Sequence, residues 1–297
     1  MIYPPHPSVT NLNVKSAFLI IAHGNFDMLR FLIESLDDKA HDIYVHIDKK
    51  CGEVDYCQLE SITRYSHVKC VRDRIRVYWG GVSIIKSTFK LLREAARGEY
   101  TYYHLISGVD FPIMSNQEIY DFLCTNRGKE FVGFTTHDHD LARKLRYYHL
   151  FVDSKYGQNR FVQRIDSFIK KLQRVFHFWQ FRDVKQFAKG CNWFSITHSL
   201  VKEILSEEKS IIRRYRFSFA ADEVFLQTFI KQHPEWKERL FCTTSEYEGC
   251  MRLIDWDRGT PYTYTLNDID ELVNSKRFFA RKIANLEVMK AIAKNRK

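Results

Sequence analysis

Four short segments set polar residues directly after apolar runs, where neither strand nor helix propensity asks for them. They are Ile20-Ile21-Ala22-His23, His46-Ile47-Asp48-Lys49-Lys50, Val77-Tyr78-Trp79-Gly80-Gly81 and Leu105-Ile106-Ser107-Gly108-Val109-Asp110-Phe111-Pro112. His23, Asp48 and Asp110 each fall just past the C-terminal end of a run that reads as a strand. In open α/β sheets ligands bind at those ends. A single Asp there is equally an ordinary turn or cap residue, so it is the three together that mark a candidate site. Trp79-Gly80-Gly81 suits a sugar, because an aromatic face packs on the C–H face of a pyranose and adjacent glycines let backbone approach a ligand. A buried core tryptophan is the ordinary alternative. Trp193 and Trp256 lie in apolar runs and read as core.

Other chemistries lack their fingerprints. GxGxxG and GxxxxGK[ST] are both missing, which removes the common dinucleotide and P-loop sites. HExxH and GxSxG are missing as well. Twelve His are scattered without metal spacing. Asp138-His139-Asp140 has the form of a DxD metal site, but a three-letter match in a charged loop reads as chance. Seven Cys with no CxxC pair suggest reduced thiols rather than a zinc or redox motif.

The elements that must carry these residues alternate. Residues 17–22 (AFLIIA) form a short continuous apolar run, as expected of a strand buried on both faces. Asn25 can cap a helix carrying Met28, Leu29, Leu32, Ile33 and Leu36. Further strands are predicted at 43–47, 68–71, 75–78, 102–106, 131–134 and 193–196. Helices are predicted at 82–97, 116–123, 200–205, 222–231 and to about 274 from a start at Thr265. Ser115 and Glu118 have capping-box spacing, and so do Thr265 and Asp268. Strands alternating with helices imply an α/β fold with a mostly parallel sheet covered on both faces.

The 297 residues form a single domain in this reading, with neither internal repeat nor linker. The net charge is +10, and 15% of residues are aromatic, which excludes a disordered chain. Nine Lys/Arg against two Asp place seven of those ten charges at 155–189, together with eight aromatics. That stretch reads as a basic helical insertion (about 140–189), with Phe161, Ile165, Phe168, Ile169 and Leu172 on one face. A basic amphipathic helix with aromatics suits an anionic membrane surface; a solvated basic flap is the plain alternative. No nucleic-acid motif accompanies it. The first 14 residues lack a basic region followed by an apolar one, so the expected location is cytoplasmic, or peripheral at the inner face of the membrane.

Taken in order, IIAH (20–23), HIDKK (46–50), YWGG (78–81), LISGVDFPI (105–113), GCNWFSIT (190–197), AADEVFLQT (220–228), LIDWDRG (253–259) and FFARK (278–282) resemble glycosyltransferase family 14. That family includes the core-2 and I-branching β-1,6-N-acetylglucosaminyltransferases and the peptide O-xylosyltransferases. The resemblance runs from about residue 17 to 283 and is weakest at about 140–185. It implies a GT-A-like fold and a metal-independent, inverting transfer from a UDP-sugar to a glycan or lipid-linked glycan. It implies Glu223 as catalytic base and Arg281 and Lys282 as pyrophosphate ligands, with Arg258 a further candidate. Asp48 matches the nucleoside-binding Asp, and His23 lies beside the same pocket. Trp79, Gly80, Asp110, Asn192 and Trp193 fall on the sugar and acceptor side. The xylosyltransferases carry Asp where this chain has Asn192. The favoured activity is therefore β-1,6-N-acetylglucosaminyl transfer, with O-xylosyl transfer the alternative and a basic membrane-surface module the non-enzyme alternative. Relatives with a membrane anchor and a lumenal stem are eukaryotic, so their absence suggests a bacterial enzyme of polysaccharide synthesis.

The residues' own chemistry agrees with these roles. Inverting transfer is one in-line displacement, needing a base on the acceptor hydroxyl and charge stabilisation on the departing pyrophosphate. Asp222-Glu223 is expected to open a helix, where the dipole favours ionised acids whether or not they are catalytic. Arg281 and Lys282 follow the apolar Phe278-Phe279-Ala280, which would anchor them. Fixed cations there can replace a metal, since the SGVDFP segment offers one carboxylate only. Residues 289–297 read as a solvated basic tail.

Overall fold

A computed structural model describes residues 14–135, 140–181 and 183–296. Among the described residues nine strands form two sheets. The larger has the order β3-β2-β1-β4-β7-β6, from β1 (Ser16–Ala22), β2 (His41–Ile47), β3 (Val68–Cys70), β4 (Tyr102–Ser107), β6 (Phe131–Val132) and β7 (Phe194–Thr197). β1 to β4 run parallel, whereas β7 is antiparallel to both β4 and β6. The 3-2-1-4 order is that of a Rossmann-like half, so the expected GT-A-like α/β fold with a mostly parallel sheet is the one observed. The smaller sheet, β5-β9-β8, joins β5 (Asp110–Pro112), β9 (Phe279–Arg281) and β8 (Arg252–Ile254).

Alternation along β1 shows why an unbroken apolar run is needed. Ala17, Leu19 and Ile21 enter one core with the helices Ser83–Ala95 and Phe225–Gln232. Phe18, Ile20 and Ala22 enter the other with Phe26–Ser35, Asn116–Thr125 and Leu286–Asn295. Both faces are thus covered. Asn25 caps its helix, and both predicted capping boxes form. Arg252 rivets the two sheets where β4 and β7 part. Its buried guanidinium donates to the Phe194 and Leu105 carbonyls at 2.9 and 3.2 Å and to the Cys250 carbonyl at 2.7 Å.

Several expectations fail for identifiable reasons. Residues 75–78 are not a strand: the Ile75 amide donates to His46 Nε2, and the Tyr78 amide to Ser83 Oγ. Side chains there satisfy backbone that a ladder would otherwise pair. The basic insertion is helical only over Arg160–Val175, after a short helix at Leu141–Leu145. Residues past 289 are no solvated tail, because Val288, Met289 and Ile292 are core. Arg296 then donates to the carbonyls of Ser35, Pro112 and Met114. Trp256 is half exposed rather than core. Among the described residues no helix is long and apolar enough to cross a membrane.

Candidate active site

The parallel strands end together, and the chain leaving those ends carries His23, Asp48, Trp79, Gly80 and Asp110. His23 follows β1 and is exposed. The Asp48 amide donates to the Ala22 carbonyl at 2.8 Å, tying the β2 end to that of β1. The Asp48 carboxylate is buried and accepts from the Lys50 amide at 2.8 Å, with Lys50 Nζ 3.3 Å away. It therefore acts here as the cap of the turn Lys49–Cys51. Lys50 Nζ also donates to the Val77 carbonyl at 2.6 Å, which ties the HIDKK turn to the YWGG segment.

Asp110 and Arg281 meet by register, since β5 and β9 pair them directly. Asp110 is 1% exposed; its Oδ2 accepts from the Ser107 amide at 2.5 Å and its Oδ1 from Arg281 Nη1 at 2.8 Å. The same Nη1 donates to Ser107 Oγ at 2.7 Å. The guanidinium lies over the Trp193 ring, 4.8 Å from its centroid. Trp193 is buried as expected, but its upper face is a platform for a cation. Both protein partners use Nη1, so Nε and Nη2 remain for an anion.

The acid pair sits elsewhere in the chain and is brought close by the segment Gly190-Cys191-Asn192-Trp193. Asp222 and Glu223 lie in a 3₁₀ turn, Ala221–Glu223, one step before the helix predicted to contain them. The Gly190 amide donates to the Glu223 carbonyl at 2.9 Å, and Asn192 Nδ2 to Asp222 Oδ2 at 3.1 Å. Trp193 at the other end supports Arg281. Four residues thus span from acid to cation. Gln227 holds this strap through the Cys191 carbonyl at 2.7 Å. Gly190 is required, since a Cβ there would run into the Gly133 carbonyl.

Glu223 is half exposed, and Lys144 binds its Oε2 through a close ion pair. Lys189 Nζ stands 3.9 Å from the same oxygen. Both ammonium groups address Oε2, leaving Oε1 as the atom to take a proton. Asp222 differs. Burial, and then the neighbouring Glu223 charge, push its carboxyl up to about 7. Its Oδ1 has no partner among the described residues. Burial likewise raises the Glu246 carboxyl beside this cluster. Lys144, Lys189 and the raised carboxyl of Asp222 went unnoticed in the sequence. Lys144 lies 79 residues from Glu223, and no spacing rule links them.

Trp79 is 69% exposed, so it is a platform and not a core residue. Its edge meets Phe219, with ring centroids 5.3 Å apart. Gly80 and Gly81 do not open space for a ligand: a Cβ on Gly80 would press on Phe219 and one on Gly81 on Asp153. Gly80 instead accepts from the Ala220 amide at 2.8 Å, fixing Trp79 to the turn that carries Glu223. A cavity of about 340 Å³ opens beside Trp79, lined by His149, Phe219 and the helix Arg160–Val175.

Arg258 is not gathered into this group. Its guanidinium takes Asp255, Asp268 at 3.3 Å and both Glu271 oxygens at 2.8 Å. Lys282 pairs through backbone with Tyr262 and Tyr264. Asp138 and His139 lie outside the described residues, while Asp140 is held by Lys189 at 3.1 Å. Among the described residues no three His, Cys, Asp or Glu side chains converge as a metal centre would require.

The family model of the core-2/I-branching enzymes matches residues 16–275. Xylosyltransferase 2 from Canis lupus familiaris is 23% identical over 94% of this chain and 33% of its own length. The Rattus norvegicus protein of the same name is 24% identical over the same shares. Xylosyltransferase 1 from Homo sapiens is 22% identical over 93% of the chain and 30% of its own length. The chain thus spans about a third of the length of these curated relatives. Two solved structures are similar at 12% identity and a TM-score of 0.39. They are the bifunctional glycosyltransferase WbbM (75% of this chain, 38% of that one) and mouse xyloside xylosyltransferase 1 (92% and 99%).

Proposed function

The chain belongs to the core-2/I-branching enzyme family, a glycosyltransferase family, and we propose that it moves a sugar from a UDP-sugar to a glycan hydroxyl with inversion. The observation that carries this reading is the strap 190–193, which links Arg281 at one end to Glu223 at the other. Inverting transfer needs a cation at the departing pyrophosphate and a base at the incoming hydroxyl, on opposite sides of one sugar. Glu223 takes the acceptor proton on Oε1 while Lys144 holds Oε2. The acceptor oxygen attacks the anomeric carbon as the bond to the pyrophosphate oxygen breaks, and Nε and Nη2 of Arg281 receive the charge on UDP. Exposed Trp79 packs on a sugar ring.

N-acetylglucosamine, joined β-1,6, is the sugar we favour, on a glycan or lipid-linked glycan acceptor. A second reading, xylosyl transfer, is supported by the names of the relatives. Against it stands Asn192, where the xylosyltransferase pattern has Asp. Metal independence is part of the proposal, supported by the two oxygens of Asp110 being already taken by Arg281 and Ser107. The test is UDP release from a donor panel including UDP-GlcNAc and UDP-xylose, on glycan and peptide acceptors, with and without EDTA. Turnover with UDP-GlcNAc, unchanged by EDTA, is expected. Turnover with UDP-xylose alone would select the second reading. Activity lost in EDTA and restored by Mn²⁺ would overturn metal independence.

A further inference from the structure

The helix Arg160–Val175 is built the wrong way round for a helix that packs on a protein core. Its apolar residues Phe161, Ile165, Phe168, Leu172 and Val175 recur at helical spacing and make one stripe. That stripe faces solvent: Phe161 is 69% exposed, Phe168 61% and Val175 67%, and Phe176 just beyond is 75% exposed. Two polar residues, Gln173 and Asp166, are instead turned to the protein. Gln173 is buried and exchanges two hydrogen bonds with the Tyr148 backbone, at 2.8 and 3.1 Å. Asp166 turns inward beside His149 and is neutralised by Lys170 at 2.9 Å. The helix is held by Asn159, which caps it through the Phe161 and Val162 amides, so the outward stripe is a fixed feature of a formed helix.

The charges beside the stripe choose what covers it. At 3.6 residues per turn Arg160, Arg164 and Lys171 run along one edge of it, and all three are exposed. The sole acid of the helix, Asp166, points the other way. The outward surface is therefore apolar with a cationic border along one edge. A second copy of this chain meeting it about a two-fold axis would set those cations against themselves. An anionic lipid surface instead takes the aromatic and aliphatic side chains into its headgroup boundary and pairs the cations with its phosphates.

We propose that the helix Arg160–Val175 with Phe176 is a peripheral membrane-binding element that lies flat on anionic phospholipid. This does not rest on the reaction the enzyme performs. Its consequence for the site is geometric: Val162, Gln163 and Asp166, on other faces of the same helix, line the cavity beside Trp79. Docking would bring that cavity to the level of the headgroups, where a lipid-linked glycan presents its sugars.

The experiment is co-sedimentation of the full chain with phosphatidylcholine vesicles, with and without phosphatidylglycerol at about one third, in low and high salt. Binding to the anionic vesicles at low salt is expected, weakening by about tenfold or more on neutral vesicles or in high salt. Two triple variants are compared, F161S/F168S/F176S and R160Q/R164Q/K171Q. These side chains are exposed, so melting temperature should hold while each triple loses at least about tenfold in vesicle affinity. Equal binding to neutral vesicles, or none to either, overturns the proposal. So does a concentration-dependent dimer in solution that the Phe triple dissolves, since a second copy would then be the occupant.

Discussion

Replacing Arg281 by Ala should weaken UDP binding and destabilise the fold, and the two effects can be separated. The guanidinium uses Nη1 for Asp110 and Ser107, which leaves Nε and Nη2 for phosphate. One charge-assisted contact of this kind is worth about 1.5–3 kcal/mol, so UDP affinity should fall roughly tenfold to a hundredfold. The same truncation strands Asp110, 1% exposed, with the Ser107 amide as its remaining partner. Breaking a buried ion pair from one side costs about 3–5 kcal/mol. A loss of binding in Arg281→Ala alone would thus be ambiguous. The double variant Arg281→Ala/Asp110→Asn removes the stranded charge as well. It should recover most of the stability in urea denaturation but none of the UDP affinity in calorimetric titration. Wild-type UDP affinity in the double variant would refute the reasoning: Arg281 would then be a strut for Asp110, and another cation would meet the pyrophosphate.

Glu223→Gln keeps an acceptor for Lys144 but has no base. Turnover should fall about 10²–10⁴-fold with UDP affinity unchanged, measured by product formation and calorimetry; undiminished turnover would place the base elsewhere. His46 predicts a pH dependence of stability. Its ring is fully buried and Nε2 accepts from the Ile75 amide at 3.1 Å, which requires a neutral imidazole. Burial pushes its pKa from 6.5 down to about 4, so its contribution is complete above pH 6.5 and lost as pH falls from there towards 4, by about 3 kcal/mol at most. Denaturation across that window should show a flatter loss in His46→Gln, which keeps the acceptor; identical slopes in the two proteins would exclude His46 as a source.

What was legible in the sequence follows the range of the interactions. β1 and its helix were visible because a double-sided strand must be apolar at every position and a capped helix carries its own punctuation. His23, Asp48 and Asp110 were found because a strand end is a local feature. Residues 75–78 were misread because β-rich composition says nothing of His46 and Ser83, whose side chains take the backbone. The C-terminal helix was misread because its charges stood out, while the apolar partners of Val288, Met289 and Ile292 lie far away in the chain. Trp256 shows the same limit: an apolar neighbourhood in sequence does not decide burial. Arg281 was placed by its anchor, but its bond to Asp110 spans 171 residues and could be read only from the strand register.

Asn192 has the most to say about how the acids divide their work. Its amide donates to Asp222 Oδ2 at 3.1 Å, while burial and then the neighbouring Glu223 charge raise the Asp222 carboxyl to about 7. An Asp at position 192 would put a second carboxylate against Asp222 at the same distance. Two carboxylates so close cannot both ionise, and they share a proton. The amide removes that competition and leaves Asp222 a buried acid that accepts from one side-chain donor among the described residues. Lys144 and Lys189 pair with Glu223 and Asp140, with the Glu246 carboxyl beside them. Of the Asp222-Glu223 pair, Glu223 is the half-exposed one, ion-paired on Oε2 among the described residues, and its turn is tied to the Trp79 segment through the Ala220 amide and the Gly80 carbonyl. On the proposed assignment, Asn192 thus removes a carboxylate that would otherwise compete with the acid pair carrying the base Glu223.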